Sequence, residues 1–582
     1  MQKSEHKMRK NRPYIFSLII ALLALTTCIP TSMAQTVACT AQPPKHEVRA
    51  VWLTTIGGID WPHTYAQSAR SIEKQQNELR QILDQLQAAG INTILLQTRV
   101  RGAVIYPSAY EPWDGCLSGH PGKSPGYDAL QFAINECHRR GMELHAWIVT
   151  MPVGKWDALG CKQLRKKMPR NIIRIKADGY MNPETQQTAD YLANICAEVT
   201  RAYDVDGIHL DYIRYPEELP KLKTLSRDKG RDNITRIVRT ISRRVKSIKP
   251  WVKMSCSPIG KRNDLNRYWS RGWNAEEKGC QDVERWMKEG WMDQIYPMMY
   301  FKGDNFFPFA ADWKERSHGK TVSAGLGIYF LSPKEANWKF EEIQREMNVC
   351  RQMGIGTAMF RNKFLMDNIK GLYDFTANEQ NLYPALVPEM TWYAHEAPAM
   401  PTNLSIQIDN NAATLSWDNS TQDKTTRHQA STDVYYNVYA SNTAPVDISD
   451  PRNIIAARTD KRSINVPLYP LTTHFAITAI DRYGKESRPL QSDNGDGEDN
   501  TAAARKHGLI RNSGNTITLP SMPSTLDVEY ILFESSTGCT VASRRYAKVL
   551  NIKNIPDGMY IIRSLSKKGK SHRQGWVFIK RR

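Results

Sequence analysis

Beyond an N-terminal apolar stretch, the 582-residue sequence has no run approaching the length of a membrane span. No two cysteines form a CxxC pair, and none stands at zinc-ligand spacing from a histidine, so the sequence offers no cysteine zinc site. "TTIGGIDWP" follows the first strand pattern and is not the GxGxxG turn of a dinucleotide-binding sheet. No internal repeat is visible. The ten cysteines become odd in number once Cys28 leaves with a leader, and the sequence assigns no disulfide. Cys137, Cys196 and Cys350 lie in helical patterns and read as core residues.

The N-terminus reads as a targeting segment. Lys3, Lys7, Arg9, Lys10 and Arg12 precede an apolar run from Tyr14 to about Leu25, and Ser32-Met33-Ala34 offers a cleavage site. Residues 1–34 are expected to be a signal peptide, with lipidation at Cys28 as the alternative. The mature chain would be periplasmic, cell-surface or extracellular. Loss of residues 1–34 removes five basic residues and one acid, so the formal charge of +20 falls by only four. Such a basic surface suits an anionic glycan or envelope, and export argues against nucleic acid.

The length exceeds one core, which points to several domains. Strand and helix patterns alternate over 45–390, giving eight strand candidates at 48–55, 92–100, 142–149, 206–213, 252–258, 293–300, 321–330 and 356–361. Helical patterns lie between them, including Ile72–Ala89, Ala129–Arg140, Thr188–Tyr203, Asn233–Lys249, Cys280–Glu289 and Pro333–Met353. This predicts an α/β fold, a TIM (β/α)8 barrel, with a doubly wound sheet as the alternative. Two β-sandwich modules are expected to follow, at 398–491 and 509–582, joined by a polar linker at 492–508.

Residues two apart on a strand share a face. On the fourth strand Gly207, His209 and Asp211 oppose Ile208 and Leu210. Helices cover the outside of a parallel barrel, so the polar set is expected to face the lumen, with Asp211 near the C-terminal end where barrel enzymes keep their chemistry. The same parity groups Gln97, Arg99 and Arg101 on the second strand, Glu143, His145 and Trp147 on the third, and Gln294, Tyr296, Met298 and Tyr300 on the sixth. The loops carry Trp61, Tyr106, Tyr110, Trp113, Trp156, Tyr212, Tyr215, Trp269, Trp273 and Trp313, which could stack on sugars. Glycosidases need two carboxyls flanking the bond, about 5–5.5 Å apart for retention and ~6.5–9.5 Å for inversion. Asp211 is the best-placed carboxylate. Glu111, Glu217, Glu218 and Asp60 are the loop candidates for its partner.

Several stretches resemble bacterial glycosyl-hydrolase-like family 10, which includes envelope lipoproteins and a peptidoglycan glycosidase. They are "HEVRAVWLTTIGGIDWP", "GINTILLQTRVRGAVIYPSAYEPW", "GYDALQFAINECHRRGMELHAWIV", "YDVDGIHLDYIRYP", "SIKPWVKMSCSPIG", "GWMDQIYPMMYF" and "YPALVP". The resemblance covers about 45–390 and implies a TIM barrel acting on glycans. Relatives often carry two adjacent acids at the end of the fourth strand; here Tyr212 follows Asp211. In the related chitinase-like pattern, Ile213 falls where the catalytic Glu would be. Residues 398–491 resemble a fibronectin type III domain around Trp417. The final segment is similar to type IX secretion sorting domains.

The expected activity is hydrolysis of a glycan such as peptidoglycan strands or another polysaccharide, without cofactor or metal. Asp211 is the expected nucleophile or base, and Glu111 or Glu217 the acid. Arg99, Arg101, His145, Trp147, His209, Tyr212, Arg214, Tyr296 and Tyr300 are expected to bind substrate. An N-acetyl group of the substrate could serve as nucleophile, with Asp211 orienting it and Tyr300 bonding to it. A non-catalytic glycan-binding or adhesin scaffold is the alternative. A metal-dependent deacetylase would have only His145, His209 and Asp211 to hold its ion.

Overall fold

In the computed structural model, the described residues are 43–217, 226–266, 268, 272–409, 412–419, 434–467, 474–492 and, in shorter pieces, 512–579. The leader, Cys28, Glu218, Trp269 and nearly all of the 492–508 linker lie outside them.

All eight anticipated strands form, each within its expected span. They are β1 (Arg49–Leu53), β2 (Thr93–Arg99), β3 (Glu143–Val149), β4 (Gly207–Asp211), β5 (Lys253–Cys256), β6 (Gln294–Ile295), β7 (Thr321–Leu326) and β8 (Gly356–Met359). They close into a parallel barrel in chain order, β8 pairing with β1. Closure leaves the barrel no free edge. β6 is short because Pro297 has no N–H to give the ladder; single bridges at Met298 continue the pairing to Ile259 and Gly325.

The strand parity holds. Val51, Leu53, Ile94, Leu96, Leu144, Ile208, Leu210 and Met254 point outward into one large core beneath the helices. Ala50, Trp52, Leu95, Trp147, Val149 and Tyr296 fill the lumen as a separate cluster. Burying one such leucine contributes roughly 1.5–3 kcal/mol. The covering helices include α1 (Ala69–Ala88), α2 (Ala129–His138), α3 (Gln186–Ala202), α4 (Arg227–Ile248), α5 (Val283–Lys288), α6 (Phe307–Glu315) and α7 (Phe340–Gln352). Side chains of Ser68, Asp128 and Thr185 cap the first three by accepting a backbone N–H. Two expected helices begin late. α5 starts at Val283 rather than Cys280, which takes a positive φ, and α7 starts at Phe340, after a 3-10 turn at Ile328–Leu331. A small antiparallel sheet of Pro152–Lys155, Ile172–Ile175 and Asp178–Met181 elaborates the loop after β3 and was not anticipated.

Behind the barrel, a three-stranded sheet (Thr402–Asp409, Ala412–Asp418, Ser463–Pro467) and a four-stranded sheet (Ile454–Thr459, Tyr435–Ser441, His474–Ile480, Leu490–Gln491) share a core around Leu415, Trp417, Val438 and Ile477. Two further antiparallel sheets within 512–579 share another core, around Ile531, Phe533, Leu550 and Ile562.

The first of these modules is fixed to the N-terminal end of the barrel. Arg458 donates to Asp206 at 2.7 Å, and Arg482 donates to Asp204 at 2.6 Å. A Cβ on Gly141 would lie 2.2 Å from the carbonyl oxygen of Ala457, so only glycine permits this approach. The seven described cysteines are all free and buried. Among the described residues no helix is long and apolar enough to cross a membrane.

Candidate active site

The lumen is stacked in tiers. At the N-terminal floor, the Lys253 ammonium donates to Glu143 at 2.6 Å, and His145 Nε2 lies 3.2 Å from the other Glu143 oxygen. Burial would raise the Glu143 carboxyl, but Lys253, the His145 hydrogen bond and Arg458 outweigh it and pull it down to about 2. A Cβ on Gly207 would lie 2.6 Å from His145 Nδ1, so that glycine makes room for the imidazole to cross the lumen.

In the middle tier, the Trp52 indole N–H donates to His209 Nε2 at 3.3 Å. That leaves Nδ1 carrying the proton, 3.0 Å from Ser255 Oγ. Burial, then the neighbouring His145, pushes the His209 imidazole well below its ordinary value, so the ring is neutral. Tyr296 packs edge-on against both Trp52 and His209, and its hydroxyl donates to Gln294 at 2.9 Å.

Asp211 crowns the third tier at the C-terminal end of β4. Its Oδ1 accepts from the Tyr212 backbone N–H and from Ser257 Oγ, both at 2.8 Å. Its Oδ2 accepts from the Trp147 indole at 3.1 Å. The Asp211 carbonyl is held in turn by the Thr150 N–H and hydroxyl, at 2.9 and 2.7 Å. The carboxylate is thus oriented by neutral donors, carries no ion pair among the described residues, and is 8% exposed. With one donor on Oδ2, a lone pair there stays open to a ligand.

Around Asp211 the mouth has two unlike walls. Tyr300, Tyr329 and Phe360 form one: Tyr300 stacks on Phe360 with centroids 5.5 Å apart and meets Tyr329 edge-on. Burial, then Asp211 and Tyr329, raises the Tyr300 phenol well above its usual value, so it stays protonated and able to donate. Tyr212 and two arginines form the other. Tyr212 takes a left-handed backbone (φ 54°), and the Arg214 guanidinium lies 3.9 Å from its ring centroid. Arg214 also bonds Glu217, at 2.8 Å from Nη2. Arg101 is exposed and close enough to act on the Tyr212 phenol.

Asp211, Trp147, Tyr212, Arg214, Glu217, Arg101 and Tyr300 therefore gather at the C-terminal end of the barrel. Other expectations do not survive the geometry. Glu111 is held by three hydrogen bonds from Arg99, at 2.7–3.0 Å, and one from Tyr191 at 3.1 Å, with its side chain fully buried. With no exposed side-chain surface, Glu111 cannot reach a leaving group. Arg99 spends its remaining donors on the Val149 and Thr150 carbonyls and does not reach substrate. The pairing of β2 with β3 shifts register between Gln97 and Arg99, breaking the simple alternation there. His145, His209 and Tyr296 are fully buried below the mouth and pack the lumen instead of contacting sugar.

Asp60 is likewise structural, accepting from Thr54, Arg361 and the Lys363 N–H. Trp61, Tyr106, Tyr215 and Trp313 have no exposed surface for stacking. Ser257, Thr150 and Phe360 escaped the sequence reading. Ser257 lies just beyond β5, and the parity of Lys253 and Ser255 extended by two residues would have found it. Among the described residues no three His, Cys, Asp or Glu gather as a metal site.

Residues 47–229 and 219–329 match the family model described as glycosyl hydrolase-like 10. The chain is 29% identical over 427 residues to glycosyl hydrolase YngK of Bacillus subtilis (strain 168), covering 68% of this chain and 82% of that protein. It is 29% identical over 413 residues to glycosyl hydrolase DigH of Escherichia coli (strain K12), covering 62% and 94% respectively. Among solved structures, the glycoside hydrolase domain of PgaB (BpsB) from Bordetella bronchiseptica aligns with 57% of this chain and 98% of its own length, at 12% identity and a TM-score of 0.40.

Proposed function

On the match of residues 47–229 and 219–329 to the glycosyl hydrolase-like 10 model, we propose that this chain is an exported glycoside hydrolase acting on a glycan such as peptidoglycan strands or another polysaccharide. The observation that carries the reading is Asp211. It is a carboxylate at the C-terminal end of a barrel strand, oriented by Trp147, Ser257 and the Tyr212 N–H, with no ion-pair partner among the described residues.

Asp211 acts as nucleophile or base, with Oδ2 turned toward the substrate. Glu217 is the acid: of the described candidates it alone keeps an exposed carboxylate, with 38% of the side chain open to solvent. On a substrate carrying an N-acetyl group, the acetamido oxygen attacks instead. Asp211 then orients the amide N–H while the Tyr300 hydroxyl donates to the carbonyl. The succession of basic, apolar and small residues over 3–34 supports export. Three strands facing four over 402–491 support a fibronectin type III module.

Release of reducing ends from peptide-free glycan strands and from other polysaccharides tests the reading. Activity should fall at least ~10³-fold in Asp211→Asn; undiminished activity overturns the assignment of Asp211. One observation favours a glycan-binding scaffold as the second reading: Glu217 is engaged by Arg214. Binding without turnover on every substrate would establish the scaffold.

A further inference from the structure

At the same C-terminal end of the barrel as Asp211, the loops after β2 and β3 line a cavity of about 230 Å³, walled in part by Ile56, Pro112, Trp113 and Leu159, with Arg101 and Lys155 also on its wall. The backbone builds this feature. Arg101 and Gly102 both take left-handed conformations (φ 55° and 81°), which reverse the chain just after β2.

The charges on the cavity wall are not equivalent. Asp114 is committed, since its Oδ1 accepts the Cys116 N–H at 2.8 Å and caps a helical turn. Lys155 donates to Asp178 at 3.1 Å. Arg101 has no hydrogen bond or ion pair among the described residues, whereas Arg99 and Arg214 at the same end of the barrel are each paired with a glutamate. Burial raises the Tyr212 phenol; Arg214 and, more weakly, Arg101 oppose that rise, while Asp211 adds to it. The same end of the barrel thus carries a carboxylate held by neutral donors and, after β2, an exposed guanidinium without a partner among the described residues.

We propose that this cavity is a subsite for a sugar ring bearing an anionic substituent, a carboxylate or a sulfate, with Trp113 offering an apolar surface and Arg101 recognising the charge. The inference rests on the glycosidase reading only for register. An anionic ring placed next to Asp211 is repelled, and one seated at Arg101 is held, so the charge fixes which bond faces Asp211. The strongly positive net charge of the chain draws such a polymer in.

The test is calorimetric titration of the full chain carrying Asp211→Asn, which separates binding from turnover. The probes are a galacturonate hexamer, peptide-free peptidoglycan strands, the carboxyl-reduced product of each, a chondroitin sulfate hexasaccharide and its desulfated product. At least one acidic probe should bind about tenfold tighter than its neutral or desulfated product. Adding Arg101→Gln should bring that ratio to about one, and so should 0.5 M salt. The matched pairs tell carboxylate from sulfate. Ratios within twofold for every pair, or a ratio that survives Arg101→Gln, overturn the subsite. Charge-selective binding with no reducing ends released by wild type would retain the subsite and defeat the glycosidase. Turnover of neutral glycans with no charge preference would do the reverse.

Discussion

Asp206 and Asp211 bracket the same strand, and the two ends of the barrel treat their carboxylates in opposite ways. Asp206 accepts from Arg458 at 2.7 Å, lies 2.8 Å from His138 and sits near Arg482. Burial would raise its carboxyl, but Arg458, His138 and Arg482 outweigh burial and hold it well below the carboxylate range. Among the described residues Asp211 receives an indole, a hydroxyl and an amide. The floor neutralises charge to bind one domain to another; the mouth orients charge and leaves it unspent. A buried carboxylate matched by cations is a joint, whereas one held by neutral donors remains able to act on a ligand.

The comparison breaks most sharply by exchanging the two losses. Asp211→Asn should remove ~10³-fold or more of hydrolysis, about 4 kcal/mol of barrier, while the thermal midpoint stays nearly unchanged. Arg458→Met should do the opposite. Leaving Asp206 and Glu143 without that cation should cost about 3–5 kcal/mol in urea unfolding, with glycan affinity at the mouth retained.

Glu346 sharpens the contrast, for among the described residues it has neither a cation nor a donor. Both its oxygens are buried on α7 without a hydrogen bond, and burial, then Glu342, raises its carboxyl to about 9. Raised in the folded state, it contributes full stability below its unfolded value near 4.5, and that contribution is lost as pH rises through 4.5 toward 9. Glu346→Gln should flatten this dependence and raise stability at pH 7 by up to ~3 kcal/mol, measured by thermal unfolding from pH 4 to 9. The smallest effect is expected at Ser257→Ala. Removing one of three donors to Asp211 should lower kcat about tenfold, ~1.4 kcal/mol, with KM and the melting temperature little changed.

The outline of this protein was readable from period and pattern. Strand parity placed Asp211 in the lumen because successive side chains of a strand must alternate, and the helices claim the outer face. Parity assigns a face but not a height, so it could not tell His145 and His209, sunk in the lumen, from Asp211 at its mouth. Nor could it foresee that Arg99 would spend its guanidinium on Glu111, a partner reached only when the loop after β2 folds back.

Sequence by itself determined the barrel, its eight strands and the inward carboxylate, because alternation of apolar and polar residues is a local property of the chain. Tertiary structure alone decided which charges are spent. Arg458 meets Asp206 across 252 positions of sequence, and only three-dimensional closure determines which carboxylates find a cation and which are left free for a ligand.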